Sequence, residues 1–299
     1  MKFDNILVPV DFSEFSDKAV AYALYLAETH GSNLTLLHAV VLHQEDVEEE
    51  AHLLDYEELV KKKEAQIQRK MAGHNEQAGR RGVKINAVTV RGIFAADTIL
   101  DYIDDHDFDL VVIGTHGRTG LNKWLHGSVA EKVVRVSPVP VLSIHQNVTE
   151  YRIGKILVPV DFSDYARQAV EAALGISRQF DARLEFLFVL EQDLHPAFYA
   201  GGVGSLFTID AELKQRTTDR LREFVGYTGE NAAYRVLEGR AFNEIVETAS
   251  SEDCDLIVMA TRGLTGLEHL LIGSTTERVV RFSTVPVLTV GRNKSFDDQ

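Results

Sequence analysis

Short, nearly unbroken apolar runs alternate along the chain with longer stretches in which apolar residues recur at helical spacing. ILVPV at 6–10 is rich in branched residues and reads as a buried strand. The stretch SEFSDKAVAYALYLAETHG at 13–31 follows, with Ala19, Val20, Ala23, Leu24 and Ala27 at helical spacing and Gly31 placed to stop the helix. LTLLHAVV at 34–41 predicts a second strand, and the polar segment 55–82 predicts a helix leading to a third strand, KINAVTV, at 84–90. AADTILDYIDDH at 95–106 predicts a helix, DLVVIG at 109–114 a strand, SVAEKVVRVS at 128–137 a helix and VPVLSI at 139–144 a fifth strand. Apolar strands alternating with helices imply a parallel sheet covered on both faces, joined by right-handed crossovers.

The whole pattern is then written again. KILVPVDFSD at 155–164 repeats NILVPVDFSE at 5–14, and LEFLFVL at 184–190 matches LTLLHAV at 34–40. DCDLIVMATRG at 253–263 matches DFDLVVIGTHG at 107–117, and GSTTERVVRFSTVPVLTV at 273–290 matches GSVAEKVVRVSPVPVLSI at 127–144. A repeat of this length is a duplicated domain, predicted at 1–146 and 153–292 with its boundary in HQNVTEYRIG at 145–154. Two segments break the symmetry: the acidic HQEDVEEEAHLLDYEE and the glycine- and aromatic-rich DLHPAFYAGGVGSLFTIDAEL. Both read as surface excursions after strand two, variable connections by default and a lid or partner surface as the alternative.

Composition narrows the class. The chain is 45% hydrophobic and 25% charged, enough apolar material for packed cores, with a formal net charge of -14. That charge opposes general binding to nucleic acid, though it leaves room for a local anion site at a helix start. No apolar run reaches the length of a membrane span, and no leader pattern is read at MKFDNILVPVDFS, so a cytoplasmic protein is expected. The single cysteine, Cys254, lies in the apolar run CDLIVM and is expected to be a buried structural thiol.

If strand one lies beside strand four, the loops VPVDFS and GTHGRTGLNKWLHGS face each other across the crevice where open sheets bind ligands. Gly114 and Gly117 can take positive φ and lack a Cβ, and Gly127-Ser128 opens a helix whose free N–H groups favour an anion. The plainer alternative makes the glycines turn residues and Ser128 a cap. No GxxxxGK[ST] is present, no GxGxxG follows the first strand, and VTVRG offers no phospho-acceptor aspartate after strand three. Arg118, Lys123 and Arg262 are candidates for phosphate contact or solvated surface, and His116 and His126 lack the companions of a zinc site. Asp11 and Asp161 can serve a ligand or the start of the following helix.

The spacing G-x2-G-x9-G-[S/T], met by Gly114, Gly117, Gly127 and Ser128, joins ILVPVDFS at the start and PVPVL at the end of each half. Together they resemble the universal stress protein family in its tandem-domain form, over nearly the whole chain. The resemblance implies two tandem Rossmann-like α/β domains, each a five-stranded parallel sheet of order 3-2-1-4-5 with helices on both faces. It also implies ATP (or AMP or ADP) as ligand, with magnesium entering only through bound phosphates and no protein metal site. In the first half, Pro9, Val10 and Asp11 would lie against the nucleoside and the main chain at Ala39 against adenine. Ile113, Gly114, Gly117, Arg118, Gly127, Ser128 and Val129 would complete that site. The second half offers Pro159, Val160, Asp161, Val189, Met259, Ala260, Gly263, Gly273, Ser274 and Thr275.

Ala260 departs from the motif, whose first glycine it replaces, and a usable but weaker second site is expected. No nucleophile–base pair, carboxylate dyad, HIGH or SGGxDS signature accompanies the loops, which favours a nucleotide-binding regulator over an enzyme and allows at most weak ATPase activity. A slow hydrolase and a dimerisation scaffold with empty sites are the alternatives. The apolar edges VPVLSI and VPVLTV are expected to meet within one chain as a pseudo-dimer, with homodimerisation of the whole chain compatible with the same resemblance.

Overall fold

The computed structural model describes residues 3–41, 56–115, 128–145, 148, 150–191, 205–263 and 272–291. The chain divides into two compact units, Lys2–Tyr151 and Arg152–Gln299.

In the first unit β1 (Asn5–Pro9), β2 (Asn33–Val40), β3 (Ile85–Arg91), β4 (Leu110–Gly114) and β5 (Val141–Ile144) form a sheet of order β3-β2-β1-β4-β5. Every strand pairing within it is parallel. The helices α1 (Glu14–His30), α2 (Tyr56–Arg80), α3 (Ala95–Asp104) and α4 (Ser128–Val136) connect the strands and flank the sheet. The second unit repeats the plan with β6 (Lys155–Pro159), β7 (Arg183–Leu190), β8 (Ala232–Glu238), β9 (Leu256–Ala260) and β10 (Val287–Val290). Their order, β8-β7-β6-β9-β10, is that of the first unit, and their pairings are parallel too. Its helices are α5 (Asp164–Phe180), α6 (Leu206–Ile209), α7 (Leu213–Val225), α8 (Ala241–Ser251) and α9 (Ser274–Phe282). The predicted 3-2-1-4-5 Rossmann-like sheet is therefore present twice.

Local chemistry explains these boundaries. Ser13 caps α1 by accepting from Ser16 N at 3.3 Å, and Gly31 ends it with φ 71°, where a side chain would be strained. Ala19, Val20, Ala23, Leu24 and Ala27 are all buried, as the spacing predicts. Ser163 caps α5 in the same way, accepting from Ala166 N at 3.1 Å. The adjacency of strands one and four has a specific fastener at their amino ends. Asp109, just before β4, accepts from Asp4 N (2.8 Å) and Asn5 N (3.1 Å). Asp255, before β9, accepts from Gly154 N (2.8 Å), Lys155 N (2.9 Å) and Arg152 Nε (2.7 Å). These are the last aspartates of the repeated DFDL and DCDL, so the duplicated motif sets which strands lie side by side. Their far ends then bring the two candidate loops together.

Cys254 is buried, and desolvation pushes its thiol up to about 12. Part of the second excursion is structured: Ser205 and the short α6 are held by Glu238 of β8, whose carboxylate accepts from Ser205 Oγ (2.5 Å) and Leu206 N (2.9 Å). The acidic stretch at 43–55 lies outside the described residues.

Candidate functional site

Strand one ends at a proline in both halves, and the chain continues along strand two rather than turning away. Val10 N donates to Leu37 O at 2.9 Å and Val160 N to Leu187 O at 2.8 Å. The next residues, Asp11 and Asp161, fold back as small side-chain turns: Asp11 Oδ1 accepts from Ser13 N at 3.0 Å. Asp161 Oδ1 accepts from Ser163 N at 3.0 Å and from Ser163 Oγ at 2.6 Å. The aspartates thus buttress the helix start through the serine that caps it. In the second half Asp161 Oδ2 stands on the other side, facing the loop after β9. A Cβ built on Gly263 would lie 2.3 Å from it. The strand-one and strand-four loops meet there.

Past Gly263 the loop returns to its own beginning. Gly273 N donates to Thr261 O at 2.7 Å, and Gly273 is the N-cap of α9 without any side-chain cap. The first N–H groups of α9, at Ser274 and Thr275, therefore face the loop uncovered by a capping side chain. Thr276 is buried and donates from Oγ1 to Ala260 O at 2.8 Å, tying the helix start to the end of β9. Gly273 has φ -74°, a conformation open to any residue, and a Cβ there would meet only ordinary contacts, the nearest Thr261 O at 3.6 Å. Neither backbone strain nor packing against the described residues demands glycine at that point. Arg262 is half-buried, with its guanidinium 5.9 Å from the Tyr165 ring at the start of α5.

The remaining candidates fall along the same carboxyl edge. Ala39 pairs with Val90 and Val189 with Leu237, both half-buried near the ends of their strands. Ile113 and Met259 are buried beside Ser143 and Thr289. Ser128 is exposed and Val129 half-buried in the first turn of α4. Gly117, Arg118, Lys123, Gly127, His116 and His126 lie outside the described residues.

The positive-φ expectation for the first motif glycine is overturned. Neither Gly114 nor its counterpart Ala260 is left-handed. Gly114 is needed for a different reason: a Cβ there would sit 2.7 Å from the backbone carbon and oxygen of Phe15 in α1. Ala260 occupies the same strand end as an ordinary buried residue, 8% exposed. The glycine-to-alanine exchange therefore answers to helix packing, and the conformational reason for a weaker second site falls away.

Sequence reasoning passed over Phe12 and Phe162, which follow the two aspartates. Both are left-handed, with φ 61° and 65°, an arrangement that bulky residues rarely adopt. The only signal in the sequence is that the phenylalanine of DFS is written twice. Among the described residues, no group of three or more His, Cys, Asp or Glu could hold a metal, and no helix is long and apolar enough to cross a membrane.

Two copies of a parallel α/β domain, each with its glycine loop or loop end at the carboxyl edge of strand four, define a tandem Rossmann-like protein. A model of the Universal stress protein family matches residues 2–145 and again 152–291. The chain belongs to the universal stress protein family, with two such domains in tandem. It is 37% identical over 143 residues to universal stress protein MJ0531 of Methanocaldococcus jannaschii, covering 47% of this chain and 83% of that protein. It is 26% identical over 301 residues to universal stress protein Slr1230 of Synechocystis, covering 95% of this chain and 99% of that one. The crystal structure of a universal stress protein from Archaeoglobus fulgidus has the same fold, with a TM-score of 0.74 at 22% identity, over 98% of both chains.

Proposed function

We propose that each half binds an adenine nucleotide, ATP or its di- or monophosphate, and that the bound nucleotide sets a regulatory state in the stress response. The observation that carries this reading is Gly273: a glycine that neither φ nor packing against the described residues requires, at the uncapped start of a helix, with Gly263 and Asp161 beside it. A missing side chain that the protein does not need leaves room for a ligand to approach the backbone. Free N–H groups at a helix start favour phosphate, each such interaction contributing roughly 0.3–1 kcal/mol when exposed.

Pro159, Val160 and Asp161 line the neighbouring strand end, where a nucleoside would lie, and Val189 offers main chain to the base. In the first half Pro9, Val10, Asp11 and Ala39 hold the same places, Ser128 and Val129 open α4 on the phosphate side, and the sequence motif adds Gly117, Arg118 and Gly127. Magnesium enters only with the phosphates. The protein acts by binding rather than turnover and works in the cytoplasm.

Calorimetric titration with ATP tests this. Two equivalents per chain are expected, Gly127→Val removing one and Gly273→Val the other. Gly273→Ala folds normally and weakens its site less than valine does. Nucleotide binding that survives both valine substitutions together would overturn the reading, and sustained phosphate release by purified protein would replace the regulator with a hydrolase.

A further inference from the structure

The left-handed phenylalanines after Asp11 and Asp161 are surrounded by the same four positions in the two halves, each pair 150 residues apart, but by different chemistry. In the first half the Phe12 ring stacks on His38 (4.9 Å between centroids, 30° between planes) and on His74 (6.2 Å, 8°). Lys70 Nζ lies 5.0 Å from the same ring. His38 Nδ1 is 2.6 Å from the Val10 carbonyl oxygen, so that nitrogen carries the proton. His74 Nε2 is 3.5 Å from Asp17 Oδ1. In the second half Phe162 packs on Phe188 (4.7 Å) and Phe224 (5.5 Å). Arg220 lies 4.3 Å from Phe162, and Arg167 lies 4.2 Å from Phe224. His38, His74, Lys70 and Asp17 are thus replaced by Phe188, Phe224, Arg220 and Arg167. One clamp contains two titratable rings and the other contains none.

We propose that Phe12 is a positioning residue of the N-terminal nucleotide site, and that a proton taken up by His74 releases it. This half then gives up nucleotide in acid, while the C-terminal half keeps it. The inference rests on the nucleotide reading above.

Phe12 lies between Asp11, whose carboxylate turns back onto Ser13 N, and the capped start of α1, so its ring fixes the loop that carries Asp11. Among the described residues, the titratable and charged groups facing this ring are His38 from β2 and Lys70 and His74 from α2. Asp17 of α1 reaches His74, and Asp11 adjoins in the loop. Burial against Phe12 holds His74 below its ordinary 6.5, and Asp17 offsets this only in part. A group whose pKa is lowered in the packed state favours the packed state above its unfolded pKa. That advantage is lost as pH falls through the folded value. A proton on the His74 imidazole also adds a cation beside a ring already facing Lys70, and the cations repel one another. Proton uptake therefore favours the state in which the rings part and the loop loosens.

The test is calorimetric titration of the full chain with ATP between about pH 7.5 and about pH 5.5. Gly273→Val isolates the N-terminal site and Gly127→Val the C-terminal one, which also controls for protonation of the ATP phosphates. The N-terminal site is expected to lose about tenfold in affinity over this range, and the C-terminal site about twofold or less. Placing His38→Phe and His74→Phe, the residues of the other half, in the Gly273→Val background flattens the profile. Equal pH dependence at the two sites, or a profile unchanged by the double substitution, overturns the proposal.

A second measurement needs neither ligand nor variant. In NMR titration of the nucleotide-free protein, the His74 ring and the Phe12 amide should share a midpoint below 6.5. A Phe12 amide that stays unmoved while His74 titrates overturns the proposal too. Absence of ATP binding at every pH would remove the nucleotide reading, and the NMR titration would still decide whether Phe12 answers to His74.

Discussion

Gly114 and Ala260 hold one place in two copies of a domain and answer to different neighbours. Helix α1 approaches the end of β4 so closely that a methyl at Gly114 would lie 2.7 Å from the Phe15 backbone, whereas Ala260 carries its methyl without strain. Gly114→Ala should destabilise the N-terminal half by about 1–3 kcal/mol through overpacking, read as a lower urea midpoint. Ala260→Gly should cost only about 0.5–1 kcal/mol and leave nucleotide stoichiometry unchanged. The sequence marks both positions as a motif glycine and its exception, but the reason lies in a backbone approach from a residue almost a hundred positions away. No local pattern encodes that approach.

Cys254 is the opposite case, legible from its apolar setting. With desolvation raising the thiol from 9.0 to about 12, native protein at about pH 8 should react with a thiol reagent about a thousandfold more slowly than unfolded chain. The sign of the linkage also follows. A raised folded pKa stabilises below the unfolded value and is lost as pH rises, so this contribution fades above about 9.

Among elements, the alternation of apolar runs and helical spacing yields the strands and long helices because each buries a face of its own period. What it does not yield is what one element holds in another. Glu185 sits in the apolar strand LEFLFVL of β7 and is 2% exposed, where the first half has Thr35. It accepts from Lys155 of β6 (2.9 Å) and pairs with Arg235 of β8, and Glu252 at the end of α8 closes the ring with contacts of 3.1 and 2.6 Å. Removing the buried member leaves two cations without their partner. Because Lys155 and Arg235 keep some access to water, Glu185→Leu should cost about 2–4 kcal/mol of stability rather than more. Urea unfolding measures this, and a variant as stable as wild type would show the network to be dispensable. The lone glutamate in an apolar run was visible in the sequence, but its partners on neighbouring strands were not. The short α6 was likewise hidden, since its start depends on Glu238, which lies 33 residues from Ser205.

At the scale of the molecule, duplication made the family and the fold legible at once, because each half supplies the other's comparison. The same comparison shows what has diverged: a buried glutamate in one half where the other has Thr35, histidines replaced by phenylalanines, a glycine by an alanine. The aspartate fasteners, the strand-end prolines, the aspartate turns onto the capping serines and the left-handed phenylalanines are shared by the two halves. A ligand read by backbone, as the proposed phosphate chain at a helix start would be, tolerates such drift in the surrounding side chains.

The central claim is that two such sites hold adenine nucleotide. Its most direct test is mass spectrometry of whatever the purified chain releases on denaturation, with the amount counted per chain. The account predicts adenine nucleotide at up to two per chain, reduced by Gly127→Val and Gly273→Val separately. Protein that releases none, and takes up none when ATP is supplied, would contradict it.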